Sequence, residues 1–339
     1  MRVLLNGVGR IGKAILRISL ESTSFEIVAI NELNRNKKNI VYTINYDSTY
    51  GKLKDKFYLK DDSIENGRSK IKLLNNKNLV DIDFKTLDID VVIDASGSKV
   101  EVDILKELPL KAIFLTYPNK DADINLVLGV NEDKLDIKKD KVISTSSCNA
   151  TALLPVLKLI DDNFGIKYGN ITTIHPLLNH QKVLDSSCIG SDNRDIDCNF
   201  EFGRSSIQNI IPSKTTTIEA CSYVLNKISS KNISSSSFRV PTTTVGAIDI
   251  SLVVKKYCKK DDIINLFEDF QSKQKYDVLL NSYDFMVSSD FQGEHFTTIV
   301  DHRFTDIKEN EMIKLNVWYD NEWGYASKVV DIIDLYNKV

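Results

Sequence analysis

Residues 2–32 read RVLLNGVGRIGKAILRISLESTSFEIVAINE, and their order decides the first half of the fold. Residues 2–6 form a short apolar run that stops at Gly7. Beyond Gly12, the apolar residues Ala14, Ile15, Ile18 and Leu20 have the spacing of an amphipathic helix. Residues 25–30 (FEIVAI) are rich in β-branched side chains and end at Asn31-Glu32. Strand, glycine turn, helix and strand make a βαβ unit. Gly7-x-Gly9-x-x-Gly12 lies on its turn. Glycines there permit a tight bend and let backbone approach a pyrophosphate, which the helix N-terminus then meets with N–H groups and a positive dipole end. Glu32 lies twenty residues past Gly12, at the end of the next strand. A carboxylate in that place accepts hydrogen bonds from ribose hydroxyls and repels a 2′-phosphate, so the expected cofactor is NAD rather than NADP. The competing reading is a glycine turn in some other α/β protein.

Working outward, strand-like runs recur at 91–93, 112–116, 126–130 and 142–144, with helical stretches between them. That alternation predicts a doubly wound parallel sheet over about the first 147 residues. After Cys148 the pattern changes. Residues 152–160 form a long helix candidate, and 171–174, 237–240, 248–255 and 311–319 read as strands without regular helices between them. Residues 324–338 have a helical apolar face. The stretches 186–201 and 229–237 read as polar connections.

Bulk properties exclude several classes. The 339 residues are 42% apolar and 27% charged, with a net charge of −3 and both signs mixed along the chain. A nucleic-acid or membrane-surface protein would carry a basic excess. No run approaches the length of a membrane span, and the N-terminus has no small-residue cleavage site, so the expected compartment is the cytoplasm. Five cysteines stand at 148, 188, 198, 221 and 258, with no CxxC pair. Neither a disulfide framework nor a metal site is expected, and the cysteines are read as free thiols.

Ser147-Cys148-Asn149 lies between a strand and a helix. A thiol at a helix N-terminus has its thiolate favoured by the dipole, although a small buried cysteine is an equal reading of the local sequence. Of four histidines, His175 ends a strand and precedes Pro176. Imidazole is the natural base for a thiol or a thiohemiacetal hydroxyl, and His180 competes for that role.

These residues together resemble the glyceraldehyde-3-phosphate dehydrogenase family from end to end. Residues 6–12 (NGVGRIG) and 46–51 (YDSTYG) are similar to its opening landmarks. Ser147-Cys148 resembles its nucleophile motif, and residues 172–175 (TTIH) its histidine segment. Residues 208–212 (QNIIP), 238–241 (FRVP), 288–291 (SSDF) and 318–325 (WYDNEWGY) follow in the family order. The resemblance implies an NAD domain, 1–147 with 321–339, and an α+β catalytic domain with a mixed sheet, 148–320. It implies that Cys148 adds to an aldehyde and that His175 removes the thiohemiacetal proton as hydride leaves. The thioester then passes to inorganic phosphate or, in some relatives, to water. Gly7, Gly9, Arg10, Ile11, Gly12, Glu32, Thr116 and Asn321 would hold the cofactor. A Cys148–His175 ion pair and a homotetramer are implied as well.

The chain departs from the family pattern near the anion sites. Asn149 follows the cysteine where a threonine helps hold an anion, and Leu178 replaces a threonine that contacts substrate phosphate. Glu201 falls where an attacking-phosphate arginine belongs, although Arg194, in a loop longer than usual, could fill that space. Arg239 and Thr215 are retained, while Thr216 replaces a glycine. Ser147, Asn149, Thr215 and Arg239 are therefore the candidate substrate and anion ligands. The leading expectation is NAD-dependent oxidation of a small phosphorylated aldehyde. Its rivals are a non-phosphorylating dehydrogenase of the erythrose-4-phosphate dehydrogenase type and a non-catalytic NAD-binding protein.

Overall fold

The computed structural model describes residues 1–22, 24–188 and 200–338. The chain divides into two compact units, Met1–Leu126 with Asn131–Ser146 and Ala326–Val339, and Val127–Val130 with Ser147–Tyr325.

The first unit is built on a nine-stranded sheet. Its spatial order runs Ile124–Asn125, Val142–Ser144, Ala112–Leu115, Val91–Asp94, Arg2–Asn6, Glu26–Asn31, Lys70–Leu74, Ser63–Glu65 and Tyr58–Lys60. The first seven are parallel and the last two form an antiparallel hairpin at the edge. Such a sheet is covered on both faces, which is why Val91–Asp94 and Ala112–Leu115 are buried throughout. The helix Arg10–Ser19 connects the first two strands and buries Ala14, Ile15 and Leu16. Strand order reverses at Arg2–Asn6, which pairs with Glu26–Asn31 on one side and Val91–Asp94 on the other. The carboxyl ends at such a switch point form a ligand crevice, and the glycine turn sits on that end. Tyr336 of the closing helix packs edge-on against Phe114, with ring centroids 5.5 Å apart.

The second unit is built on a mixed eight-stranded sheet. Ile166–His175 lies parallel to Ile233–Arg239 and antiparallel to Gly246–Val254, which pairs in turn with Met312–Tyr319. Alternation assigns the two faces. Ile248, Ile250, Leu252, Leu315 and Val317 are fully buried, in one core with Leu153, Leu154 and Leu157 of the helix Cys148–Phe164. The opposite face is polar: Thr172 Oγ1 meets Ser236 Oγ at 3.2 Å, Asn170 donates to Ser234 Oγ at 2.9 Å, and Lys314 pairs with Asp249.

Three expectations are corrected. Residues 126–130 are not a strand. The sheet takes only Ile124–Asn125, Gly129 sits at φ +77°, and Val127 and Val130 are apolar because they join the core of the second unit. The serine-rich 229–237 stretch is not simply a connection, since Ile233–Arg239 is a central strand whose serines alternate between the faces. Cys188 is disulfide-bonded rather than a free thiol. Residues 189–199, with Arg194 and most of the 186–201 loop, lie outside the described residues. Among the described residues no helix is long and apolar enough to cross a membrane, and no side-chain cluster could hold a metal ion.

Candidate active site

In the first unit the cofactor candidates gather at the switch point. Gly7 has φ +91°, and a Cβ there would lie 2.7 Å from Ser96 Cα. At Gly12 a Cβ would come within 2.0 Å of the Gly7 carbonyl oxygen, so the turn closes only with glycine at both positions. A Cβ at Gly9 would meet nothing within 4 Å, so this glycine keeps space open rather than relieving a clash. Gly9 is also the N-cap of Arg10–Ser19. No side chain caps that helix and no acid occupies its first turn, where Ile11 lies. An uncapped, unneutralised N-terminus suits a pyrophosphate.

Glu32 accepts a hydrogen bond from Val8 N at 3.0 Å, which ties the ribose-reading carboxylate to the phosphate-reading turn. Thr116 directly follows the strand Ala112–Leu115, its Oγ1 donating to Asp94 O at 3.0 Å. Arg10 is paired with Asp47, which also binds Lys13 Nζ at 3.2 Å. Burial works against the Asp47 carboxylate, but the N–H groups of Tyr50 and Thr49 and the Arg10 guanidinium outweigh it and hold the acid well below the carboxylate range. A cleft of about 540 Å³ opens beside the turn, lined by Gly7, Gly9, Glu32, Leu33, Ala95 and Ser96 among others. The glycine cradle, the uncapped helix and the acid fit a dinucleotide.

In the second unit the sequence candidates for chemistry converge. Cys148 is the first residue of Cys148–Phe164, and Ser147 caps that helix by accepting from Ala150 N at 3.3 Å. The Ser147 hydroxyl is thus engaged in the cap. Cys148 Sγ lies 3.8 Å from His175 Nε2. His175 Nδ1 is 2.8 Å from the Pro176 carbonyl oxygen, which can only accept. Nδ1 therefore carries the proton, and Nε2 turns a lone pair toward the sulfur.

Arg239 is in register with His175 on the neighbouring parallel strand. Its Nε and one terminal nitrogen, Nη1, are buried with no partner among the described residues. Burial pushes the Cys148 thiol up to about 11, against the pull of Arg239 and the Asn149 N–H. Burial, then Arg239, push His175 down to about 3. Both shifts favour thiol and neutral imidazole over the ion pair expected from the resemblance, because the enclosure penalises both charges.

Asn149 faces the sulfur, with Oδ1 3.6 Å from Sγ. Tyr319 OH donates to the same oxygen at 2.7 Å, and Asn149 Nδ2 donates to Thr217 Oγ1 at 3.2 Å. Thr217 Oγ1 meets Thr215 Oγ1 at 2.6 Å. Asn321 is buried at the 244–245 turn, its Oδ1 accepting from Val245 N at 3.1 Å and from Thr244 Oγ1 at 3.3 Å. Leu178 is half-buried and offers no hydroxyl. Glu201 is exposed on the short turn Phe200–Gly203. A solvated carboxylate there repels an anion only weakly.

Sequence reasoning passed over Tyr319 and Thr217. The signal for Tyr319 was available, because it continues the inward alternation of Leu315 and Val317. Thr217 carries no such signal.

Comparison with known proteins agrees with this geometry. Residues 1–101 match the NAD binding domain of glyceraldehyde 3-phosphate dehydrogenase, and residues 147–321 match its C-terminal domain. The chain is 34% identical over 338 residues to glyceraldehyde-3-phosphate dehydrogenase of Buchnera aphidicola subsp. Schizaphis graminum, covering 99% of this chain and 98% of that protein. It is 33% identical over 335 residues to glyceraldehyde-3-phosphate dehydrogenase 1 of Kluyveromyces marxianus, covering 98% of each. It is 31% identical over 336 residues to glyceraldehyde-3-phosphate dehydrogenase 2 of Bacillus subtilis, covering 98% of this chain and 96% of that protein. The chain therefore belongs to the glyceraldehyde-3-phosphate dehydrogenase family and is an NAD-dependent oxidoreductase of that type.

Proposed function

We propose that the chain oxidises a small phosphorylated aldehyde, of the glyceraldehyde 3-phosphate kind, through a thioester on Cys148 that is released to inorganic phosphate. The supporting observation is the Cys148 thiol facing the Nε2 lone pair of His175 beside a half-buried arginine, Arg239, whose Nε and Nη1 have no partner among the described residues. In this proposal Sγ bonds to the aldehyde carbon, and its proton passes through Nε2 to the carbonyl oxygen, giving a thiohemiacetal. His175 then takes that hydroxyl proton as hydride leaves the carbon, and a thioester remains. NAD, when bound, supplies the hydride acceptor. Phosphate oxygen attacks the thioester carbonyl, the C–S bond breaks, and the thiolate regains its proton from Nε2. Asn321 is assigned to the nicotinamide carboxamide, and Gly7, Gly9, Arg10, Ile11, Gly12, Glu32 and Thr116 to the rest of the cofactor. The Arg239 guanidinium takes the substrate phosphate. Residues 1–147 with 321–339 are assigned to cofactor binding and 148–320 to catalysis, in a cytoplasmic homotetramer.

A second reading has water as the acyl acceptor. It is favoured by the closed chain from Asn149 through Thr217 to Thr215, which leaves those groups bonded to one another. An aldehyde panel with NAD, run without phosphate and at high phosphate, separates the two. Strict dependence on phosphate rules out water, and undiminished NADH production without phosphate rules out the first reading. Cys148→Ser should abolish turnover with every aldehyde while NAD still binds; turnover in that variant overturns the thioester chemistry.

A further inference from the structure

The Cys148 sulfur has two acceptors in reach, His175 Nε2 at 3.8 Å and Asn149 Oδ1 at 3.6 Å. One thiol carries one proton, so the two compete for it. The carboxamide is held at both ends by hydroxyls, and the phenol, the stronger donor of the two, favours the oxygen toward Tyr319. Tyr319, only 1% exposed, donates its hydroxyl to Oδ1, and Thr217 Oγ1 accepts from Nδ2. An amide oxygen has two lone pairs, so Oδ1 can serve Tyr319 and the thiol together. Turned the other way, the same side chain would aim a donor at the sulfur and favour the thiolate.

We propose that Asn149 is a positioning residue whose carbonyl oxygen, clamped by Tyr319 and Thr217, favours the Cys148 thiol over its thiolate and raises the pH at which the sulfur becomes a nucleophile. A hydrogen bond accepted from the neutral thiol favours that form, whereas a donor favours the charged one. Four charged or titratable groups face the sulfur from the surrounding elements. His175 comes from Ile166–His175, Arg239 from Ile233–Arg239, Tyr319 from Met312–Tyr319, and Glu322 from the segment that follows. Arg239 favours the thiolate and Glu322 opposes it. Both charges act through the surrounding protein, whereas Asn149 makes direct contact, so changing its side chain should act over and above them. The inference rests on reading Cys148 as the nucleophile, but its test needs no turnover.

The test is the rate of iodoacetamide alkylation at Cys148 in the full chain from pH 6 to 10, read by mass spectrometry of the peptide. Replacing the acceptor by an isosteric apolar group in Asn149→Leu should lower the midpoint by about one pH unit, and a carboxylate in Asn149→Asp should raise it by about as much. Tyr319→Phe releases the clamp and should also lower the midpoint. Labelling of the fully buried Cys221 reports unfolding. If both Asn149 variants unfold, Tyr319→Phe decides, and a midpoint equal to that of the parent overturns the inference. Coincident midpoints in folded Asn149→Leu and Asn149→Asp overturn it as well. Loss of turnover in Cys148→Ser tests the nucleophile separately.

Discussion

Replacing Arg239 by methionine should separate stability from substrate recognition. The guanidinium is largely enclosed, burial lowers its proton affinity, and Nε and Nη1 have no partner among the described residues. A buried polar group left without a hydrogen bond costs about 1–3 kcal/mol. Methionine keeps much of the aliphatic stem and removes both unsatisfied donors, so the ligand-free variant should be at least as stable as the parent. An anionic substrate reverses the balance. Hydrogen bonds to charged groups contribute about 1.5–3 kcal/mol each. Losing two should therefore lower kcat/KM for a phosphorylated aldehyde by roughly 10²–10⁴-fold. The unphosphorylated aldehyde makes neither bond, and its kcat/KM should fall by less than about tenfold. The assay compares glyceraldehyde 3-phosphate with glyceraldehyde in both proteins, alongside thermal melts with and without millimolar phosphate. Phosphate should raise the melting temperature of the parent but not of the variant. Equal losses on both aldehydes, or a variant that melts well below the parent, would refute the assignment of an anion to these two donors.

Three further outcomes follow from the geometry. Gly12→Ala places a Cβ 2.0 Å from the Gly7 oxygen. It should weaken NAD binding and lower the melting temperature, whereas Gly9→Ala, with nothing within 4 Å of its Cβ, should leave the melting temperature unchanged; equal melts in the two variants would contradict the turn geometry. Asp47 is held below its unfolded value, so it contributes stability above about pH 4 that is lost as pH falls through the folded value. The stability gap between the parent and Asp47→Asn, measured by urea unfolding, should therefore close in acid. Buried neutral His175 and His302 have the opposite shift, to about 3 and about 4. Their unfolded forms take up protons first, so each should cost ~2 kcal/mol between pH 8 and pH 5. Urea midpoints that stay level down to pH 5 would show that these imidazoles titrate normally.

What the sequence revealed divides along physical lines. The glycine turn was legible because its constraint is local. Gly12 sits against the Gly7 carbonyl, so three glycines at fixed offsets specify it. Cys148 and His175 are 27 positions apart, and only the ordered family motifs brought them together ahead of the structure. The 126–130 run misled because burial, not strand geometry, makes Val127 and Val130 apolar. The serines of Ile233–Arg239 misled in the opposite sense. Their hydroxyls pair across to Asn170 and Thr172, a stabilisation that no hydrophobic pattern records. The clamp on Asn149 was invisible for a third reason. Tyr319 lies 170 positions away and Thr217 68, so the contact exists only after the sheet of the second unit has formed.

That clamp also bears on how phosphate enters. Where Thr215 is the donor in its 2.6 Å bond to Thr217, which in turn holds Asn149, its hydroxyl must give up that bond to meet an incoming phosphate. The exchange trades a neutral bond of about 0.5–1.5 kcal/mol for a charge-assisted one of about 1.5–3 kcal/mol, so each swap still favours binding, by about 1 kcal/mol. A site whose donors stood unengaged would gain the full amount. Phosphate should therefore bind, but more weakly than in a preorganised site, by roughly fivefold for each bond given up. Asn149→Thr removes the carboxamide that occupies Thr217 and adds a hydroxyl at the same place. If phosphate is the acceptor, that variant should reach half-maximal NADH production at a phosphate concentration several-fold to tenfold lower than the parent. An unchanged half-saturation would mean that the Thr215–Thr217 bond does not oppose phosphate. Indifference to phosphate in both proteins would leave water as the acceptor, with the bonded chain intact through the whole reaction.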